Sequence, residues 1–210
     1  LSNLQKYKQK ENYRSENLNF ITYGDIDFVL NDRRNEINFY KNSEYGTVFI
    51  HNSNLENVKI SFQNNFQSNN RSRTDFNFLT GCLNIYDSFL KNLIIETYNS
   101  DCEDSVNIVR SKGEIQNIDI FNARFDAIDF DFSKIKVKKV YVKNSLNDCL
   151  DVSYGTYEIA DLSVTSCGDK GISVGENSKV ILKNYDATNV KIGLASKDNA
   201  KTFVDKFKVN

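Results

Sequence analysis

The chain has 210 residues, enough for one domain with a full core, and its 27 basic and 28 acidic residues nearly cancel. That balance argues against a general nucleic-acid or membrane-surface partner, and no apolar run approaches the ~20 residues of a membrane helix. The sequence holds no Met and no Pro and starts at Leu1 without a secretory signal, so it reads as a mature form, a processed product or a piece of something longer. Asn is abundant beside Lys, Ile, Tyr, Phe and Asp, which an AT-rich genome explains as readily as a function does.

Residues 1–20 are polar and are expected to form a short helix or a cap, with one repetitive domain over 21–210. Within it the hexamer apolar-x-polar-apolar-x-apolar recurs at 55–60 (LENVKI), 90–95 (LKNLII), 115–120 (IQNIDI), 137–142 (VKKVYV), 159–164 (IADLSV) and 204–209 (VDKFKV). A weaker copy, displaced by one residue, stands at 182–187 (LKNYDA). Each copy reads as a short strand with one buried face. The spacing from Leu55 to Leu90 is 35 rather than 22. The excess lies near 63–80, which includes Arg71 and Arg73, and reads as a loop thrown out from one coil. It is either a tolerated surface insertion or the wall of a binding groove.

A second strand precedes the hexamers, with copies at Leu83-Asn84-Ile85, Val106-Asn107-Ile108, Ile128-Asp129-Phe130, Leu150-Asp151-Val152 and Ile172-Ser173-Val174. Its flanking residues point inward and its middle residue outward. Asp104, Asp126 and Asp148 fall 22 residues apart, continued by Lys170 and Ile192. Asn107, Asp129, Asp151, Ser173 and Ala195 repeat in the same way three positions later. Turn-formers lie between the strands, as at Gly175-Glu176-Asn177-Ser178. A fixed period of this length with short strands and no helical periodicity predicts an all-β, right-handed parallel β-helix with ~22-residue coils. The repeat persists to Val209, so the last coil reads as uncapped, to be covered by further coils or by another copy in an oligomer.

The period also positions the cysteines. Cys82 and Cys149 share a column three coils apart, roughly 14 Å at ~4.8 Å per coil, and Cys102 and Cys167 are separated alike. Four free thiols are therefore expected, a state that does not support an extracellular location.

The chemistry-bearing residues cluster on the first strand. Asp129 and Asp151 should face one groove a coil apart, with Asp126, Asp148 and Asp104 at the strand start, Asp131 two residues on, and Asp169 and Lys170 continuing the surface. Carboxylates so close repel unless they share protons, bind a cation or accept neighbouring backbone donors. Three functional readings stay open beside a structural one. Asp126, Asp129, Asp148 and Asp151 are the candidate acid and base groups of glycoside cleavage. Asp129 and Asp151 are the candidate Ca²⁺ ligands. The groove with outward aromatics such as Tyr141 and Tyr154, and with Lys191, Arg71 and Arg73 along it, would bind sugar. The structural alternative is that turns favour Asp, which explains Asp104, Asp126 and Asp148 better than the mid-strand Asp129 and Asp151. The lysines from Lys134 to Lys143 read as a solvated face, His51 as structural, and no Cys-x-x-Cys, phosphate loop or Gly-x-Ser-x-Gly is present.

On these coils the chain resembles the pectate-lyase-like parallel β-helix superfamily over residues 83–209. The resemblance implies a secreted or surface protein acting on or binding polysaccharide, with no required cofactor. The order Arg124-Phe125-Asp126, Asn147-Asp148, 167–175 (CGDKGISVG) and Lys191-Ile192-Gly193 is similar to that of the polygalacturonase motifs and maps two carboxylates to Asp126 and Asp148. The family's first Asn, one of its paired Asp residues, its His and its Arg are missing. Residues 168–178 (GDKGISVGENS) also resemble β-helix regions of bacterial surface proteins that accompany CotH-type kinase domains, but no kinase motif is present. The expectation is thus a carbohydrate-recognition module, with a polysaccharide-acting enzyme or a structural spacer as alternatives.

Overall fold

A computed structural model describes residues 9–66 and 77–210, with the side chains of Gln9 and Lys10 left aside. No helix occurs among the described residues, and the chain forms a parallel β-solenoid of about 7 turns. Strands β1 (Gln9–Arg14), β2 (Asn19–Asn31) and β3 (Glu36–His51) pair antiparallel, and every later pairing is parallel. The polar N-terminal segment is therefore a strand from Gln9 onward. Its Tyr13 stacks on Phe20 at 5.0 Å, and Phe20 meets Phe28 and Phe39 edge-on. These rings close the N-terminal end of the core.

Two strand stations repeat along the solenoid. The first comprises β6 (Gly81–Tyr86), β8 (Asp104–Val109), β10 (Asp126–Asp131) and β12 (Asp151–Ser153). The second comprises β5 (Lys59–Asn64), β7 (Phe89–Tyr98), β9 (Lys112–Ala123) and β11 (Lys134–Ser145). The long strands β13 (Thr156–Val174) and β14 (Lys179–Ser196) run through both stations, and β15 (Lys201–Val209) ends the described chain. The short β4 (Asn54–Glu56) pairs with β7. Hexamer register follows the sequence period: Ile115, Val137, Ile159, Leu182 and Val204 stack in one column, and Ile118, Val140, Leu162, Tyr185 and Phe207 in the next. Two copies are out of phase: Leu93, Ile95 and Thr97 pair with Ile115, Ile118 and Ile120, and Ile60 and Phe62 pair with Ile95 and Thr97. The polar Thr97 is buried there, 2.5 Å from Ser105 Oγ. On β15, Phe207 and Val209 are about half exposed.

The corners carry ladders of their own. Ser53 N donates to Ser88 Oγ, Ser88 N to Ser111 Oγ and Ser111 N to Ser133 Oγ, so buried hydroxyls satisfy backbone donors from coil to coil. At another corner Asn99, Asn122, Asn144 and Asn189 all have positive φ, which Asn tolerates better than most residues. Asn122 donates to Asn99 and Asn144 to Asn122, each at 2.9 Å. Part of the Asn abundance is thus architectural.

The four cysteines are not free, contrary to the sequence expectation. Cys82 bonds Cys102 and Cys149 bonds Cys167, across Cα–Cα distances of 5.3 and 5.5 Å. The column separation does exclude Cys82–Cys149 and Cys102–Cys167. The bonds join unlike positions about one coil apart: Cys82 on β6 with Cys102 just before β8, and Cys149 just before β12 with Cys167 on β13.

Candidate functional site

The outward column of the first station is in register as the period requires. Phe49, Asn84, Asn107, Asp129, Asp151, Ser173 and Ala195 are successive partners across adjacent strands. Asn84, Asn107 and Ser173 are buried, while Asp129 and Asp151 between them are partly open. Asn84 is fully engaged: it accepts from Gly81 N and donates to Gly81 O and Val48 O. Asn107 Nδ2 faces Thr80 Oγ1 at 2.5 Å and Asp104 Oδ2 at 3.4 Å, which leaves its buried Oδ1 without a partner beside Asp129.

The column before it is largely structural. Asp104 pairs across the strands with Gly81 and Asp126. Asp126 Oδ1 accepts both Asn147 Nδ2 and Asp148 N at 2.7 Å, and Asp148 Oδ1 accepts Lys170 N at 2.9 Å. The Asp126 and Asp148 carboxylates each hold a backbone N–H of the next coil. Lys170 Nζ lies 3.2 Å from Asp148 and 2.6 Å from Asp169, joining three of the expected site residues in one network. The hydrogen bond from Lys170 holds the Asp169 carboxyl below its ordinary range, and the charge of Lys191, itself exposed, adds to that effect. Arg71 and Arg73 lie outside the described residues.

Burial dominates the electrostatics. It pushes Asp104 up to about 7, against the opposing hydrogen bond from Thr80. It pushes Asp126 up to about 6, against the Asp148 amide, and Asp131 to about 6, with Asp151 and Glu176 adding repulsion. Asp129 is raised well above its ordinary value by burial and then by Asp104, Asp131, Asp151 and Asp126. Asp151 is raised by burial and by Asp148, although Lys197 opposes this. Tyr86 is pushed up to about 12 by burial and by the Asp131 and Asp104 charges. These groups form one coupled acidic surface.

Asp129 and Asp151 are not, among the described residues, part of a group of three converging His, Cys, Asp or Glu ligand atoms. Among the described residues, the group of three His, Cys, Asp or Glu whose ligand atoms converge within 4.8 Å is Cys82, Asp101 and Cys102. Its two sulfurs are committed to a disulfide.

Of the corner that borders this surface, sequence reasoning singled out Tyr154 and missed Arg110 and Phe132. Asn52, Asp87, Arg110, Phe132, Tyr154 and Asp198 all stand there with φ between 46° and 52°. Arg110 makes a two-pronged ion pair with Asp87, both contacts at 2.8 Å, and lies over the Tyr86 ring. Phe132 and Tyr154 stack with centroids 4.8 Å apart and planes 4° from parallel, and both are strongly exposed. On the neighbouring station Tyr98, Phe121 and Tyr141 form a second aromatic run. No family model, curated protein or solved structure matches the chain.

Proposed function

We propose that the chain is a carbohydrate-recognition module, with the ligand lying over the partly open Asp129–Asp151 pair. The observation that carries this reading is the exposed Phe132–Tyr154 stack bordering carboxylates held one coil step apart. Aromatic faces take the C–H face of a sugar ring, and carboxylates accept its hydroxyls. The two disulfides support an oxidising, extracytoplasmic setting for such a protein. Resemblance to the pectate-lyase-like superfamily points the same way.

A second reading, a polysaccharide-acting enzyme, is favoured by one observation. Asp131, partly exposed beside Asp151 and Glu176 and pushed up to about 6, lies in the range of a working acid or base at neutral pH. Affinity electrophoresis in gels of soluble polysaccharides, with parent and D129N/D151N, separates the readings. Loss of retention at unchanged melting temperature supports recognition. Release of reducing ends that stops in the variant supports catalysis. No retention of the parent in any gel sinks both.

A further inference from the structure

We propose that the ligand of this surface is a glycan bearing amino groups, a 2-amino-2-deoxyhexose polymer, seated against Phe132 and Tyr154. This rests on the carbohydrate reading and narrows it to a substrate class.

The corner column has left-handed backbone throughout; Asn52, Asp87 and Asp198 tolerate it, while Arg110, Glu176 and the two aromatic residues are held in it by the coil. Phe132 (φ 50°) and Tyr154 (φ 46°) are bulky residues in a conformation that disfavours them. Neither ring fills the core: they are 56% and 47% exposed. Two consecutive coils thus hold aromatic rings outward at strained positions, a pattern that packing does not explain.

Charge around the platform has one dominant sign. Asp131 directly precedes Phe132, and its partner across the strands, Ser153, directly precedes Tyr154. Ser153 Oγ donates to Glu176 Oε2 at 2.5 Å, which brings Glu176 to the same edge. Asp129 and Asp151 stand in the adjoining column. Of the cations nearby, Arg110 is taken by Asp87. Lys197 acts on Asp151 from the C-terminal side, and burial with Asp148 outweighs it. Four carboxylates, Asp129, Asp131, Asp151 and Glu176, therefore border an exposed π surface.

Such a surface selects among glycans. An ammonium on the sugar ring gains charge-assisted hydrogen bonds from the carboxylates and a cation–π contact from the rings. A uronate would set like charge against like, and a neutral sugar gains only the stacking. The unpartnered Asn107 Oδ1, in the same column beside Asp129, adds a further acceptor and no donor.

The test is calorimetric titration with four hexasaccharides at neutral pH: fully deacetylated glucosamine, its N-acetylated counterpart, a neutral glucan and an oligogalacturonate. The deacetylated oligomer should bind at least tenfold more tightly than the other three and weaken as salt rises. F132N/Y154N places at both corners a residue suited to positive φ, so it should fold with a melting temperature at or above the parent's while losing tenfold or more in affinity. Equal or tighter binding of a neutral, acetylated or acidic oligomer overturns the amino-glycan assignment and leaves the carbohydrate reading standing. Unchanged affinity in F132N/Y154N overturns the platform. A parent that binds none of the four, and retains no polysaccharide in the gels, overturns both readings.

Discussion

Tyr157 places its hydroxyl where a side chain on Gly155 would stand. In the coils before it, Ser88, Ser111 and Ser133 supply the hydroxyl that accepts a backbone N–H from the preceding coil. Position 155 is glycine, and the Tyr157 hydroxyl takes over the rung, 3.4 Å from Ser133 N and 2.9 Å from the carbonyls of Phe130 and Ser153. A Cβ on Gly155 would lie 2.3 Å from that hydroxyl and 2.4 Å from Ser133 O. G155A should therefore destabilise by about 1–3 kcal/mol through overpacking. Y157F should destabilise by about 1–2 kcal/mol through unpaired buried carbonyls. Urea unfolding measures both, and a neutral G155A would refute the packing account.

The disulfides predict a thiol count and a stability change. Thiol titration of the unfolded, unreduced protein should find none, and four after reduction. C149S/C167S opens an 18-residue separation and should destabilise by about 3 kcal/mol. Thiols detected before reduction would restore the sequence expectation.

The acidic surface predicts stability that falls as pH rises. Asp104 at about 7 and Asp126 and Asp131 at about 6 all stand above their ordinary 3.8. In the interval between, the folded state binds more protons than the unfolded chain. The stabilisation from these groups is complete below about pH 4 and is lost as pH rises through 6 to 7. Asp87 and Asp169, lowered by Arg110 and Lys170, act oppositely, and their contribution is lost only as pH falls below about 4. Urea midpoints should fall from pH 5 to pH 8, and fall less in D104N. A midpoint rising over that interval would contradict the assignment.

At the asparagine corner, N122A removes two ladder bonds and leaves a Cβ at φ 62°. It should destabilise by about 1–2 kcal/mol, and N122G by less, because glycine keeps the backbone conformation. Equal losses on thermal melting would mean that the backbone conformation contributes nothing.

Much of this was legible in the sequence, for a physical reason. Parallel coils stack identical stations, so a 22-residue count places Asp129 beside Asp151 and Ile115 beside Val137. The same logic misphased 55–60 and 90–95, the latter because Thr97 fills a core station with a polar residue whose partner is Ser105. It missed the disulfides because a period compares like stations, whereas Cys149 and Cys167 meet from unlike ones. The spacing of Asn99, Asn122 and Asn144 could have revealed the asparagine ladder. Arg110, Phe132 and Tyr154 also stand 22 residues apart; Tyr154 was legible as an outward aromatic in the turn before Gly155, whereas Arg110 and Phe132 are not turn-formers and were missed.

The central claim, glycan recognition at the partly open Asp129–Asp151 pair, is tested most directly on a glycan array, comparing the parent with D129N/D151N. The account predicts a defined set of glycans bound by the parent and lost by the variant at equal melting temperature. An identical array pattern for both proteins, or no bound glycan for the parent, would contradict it.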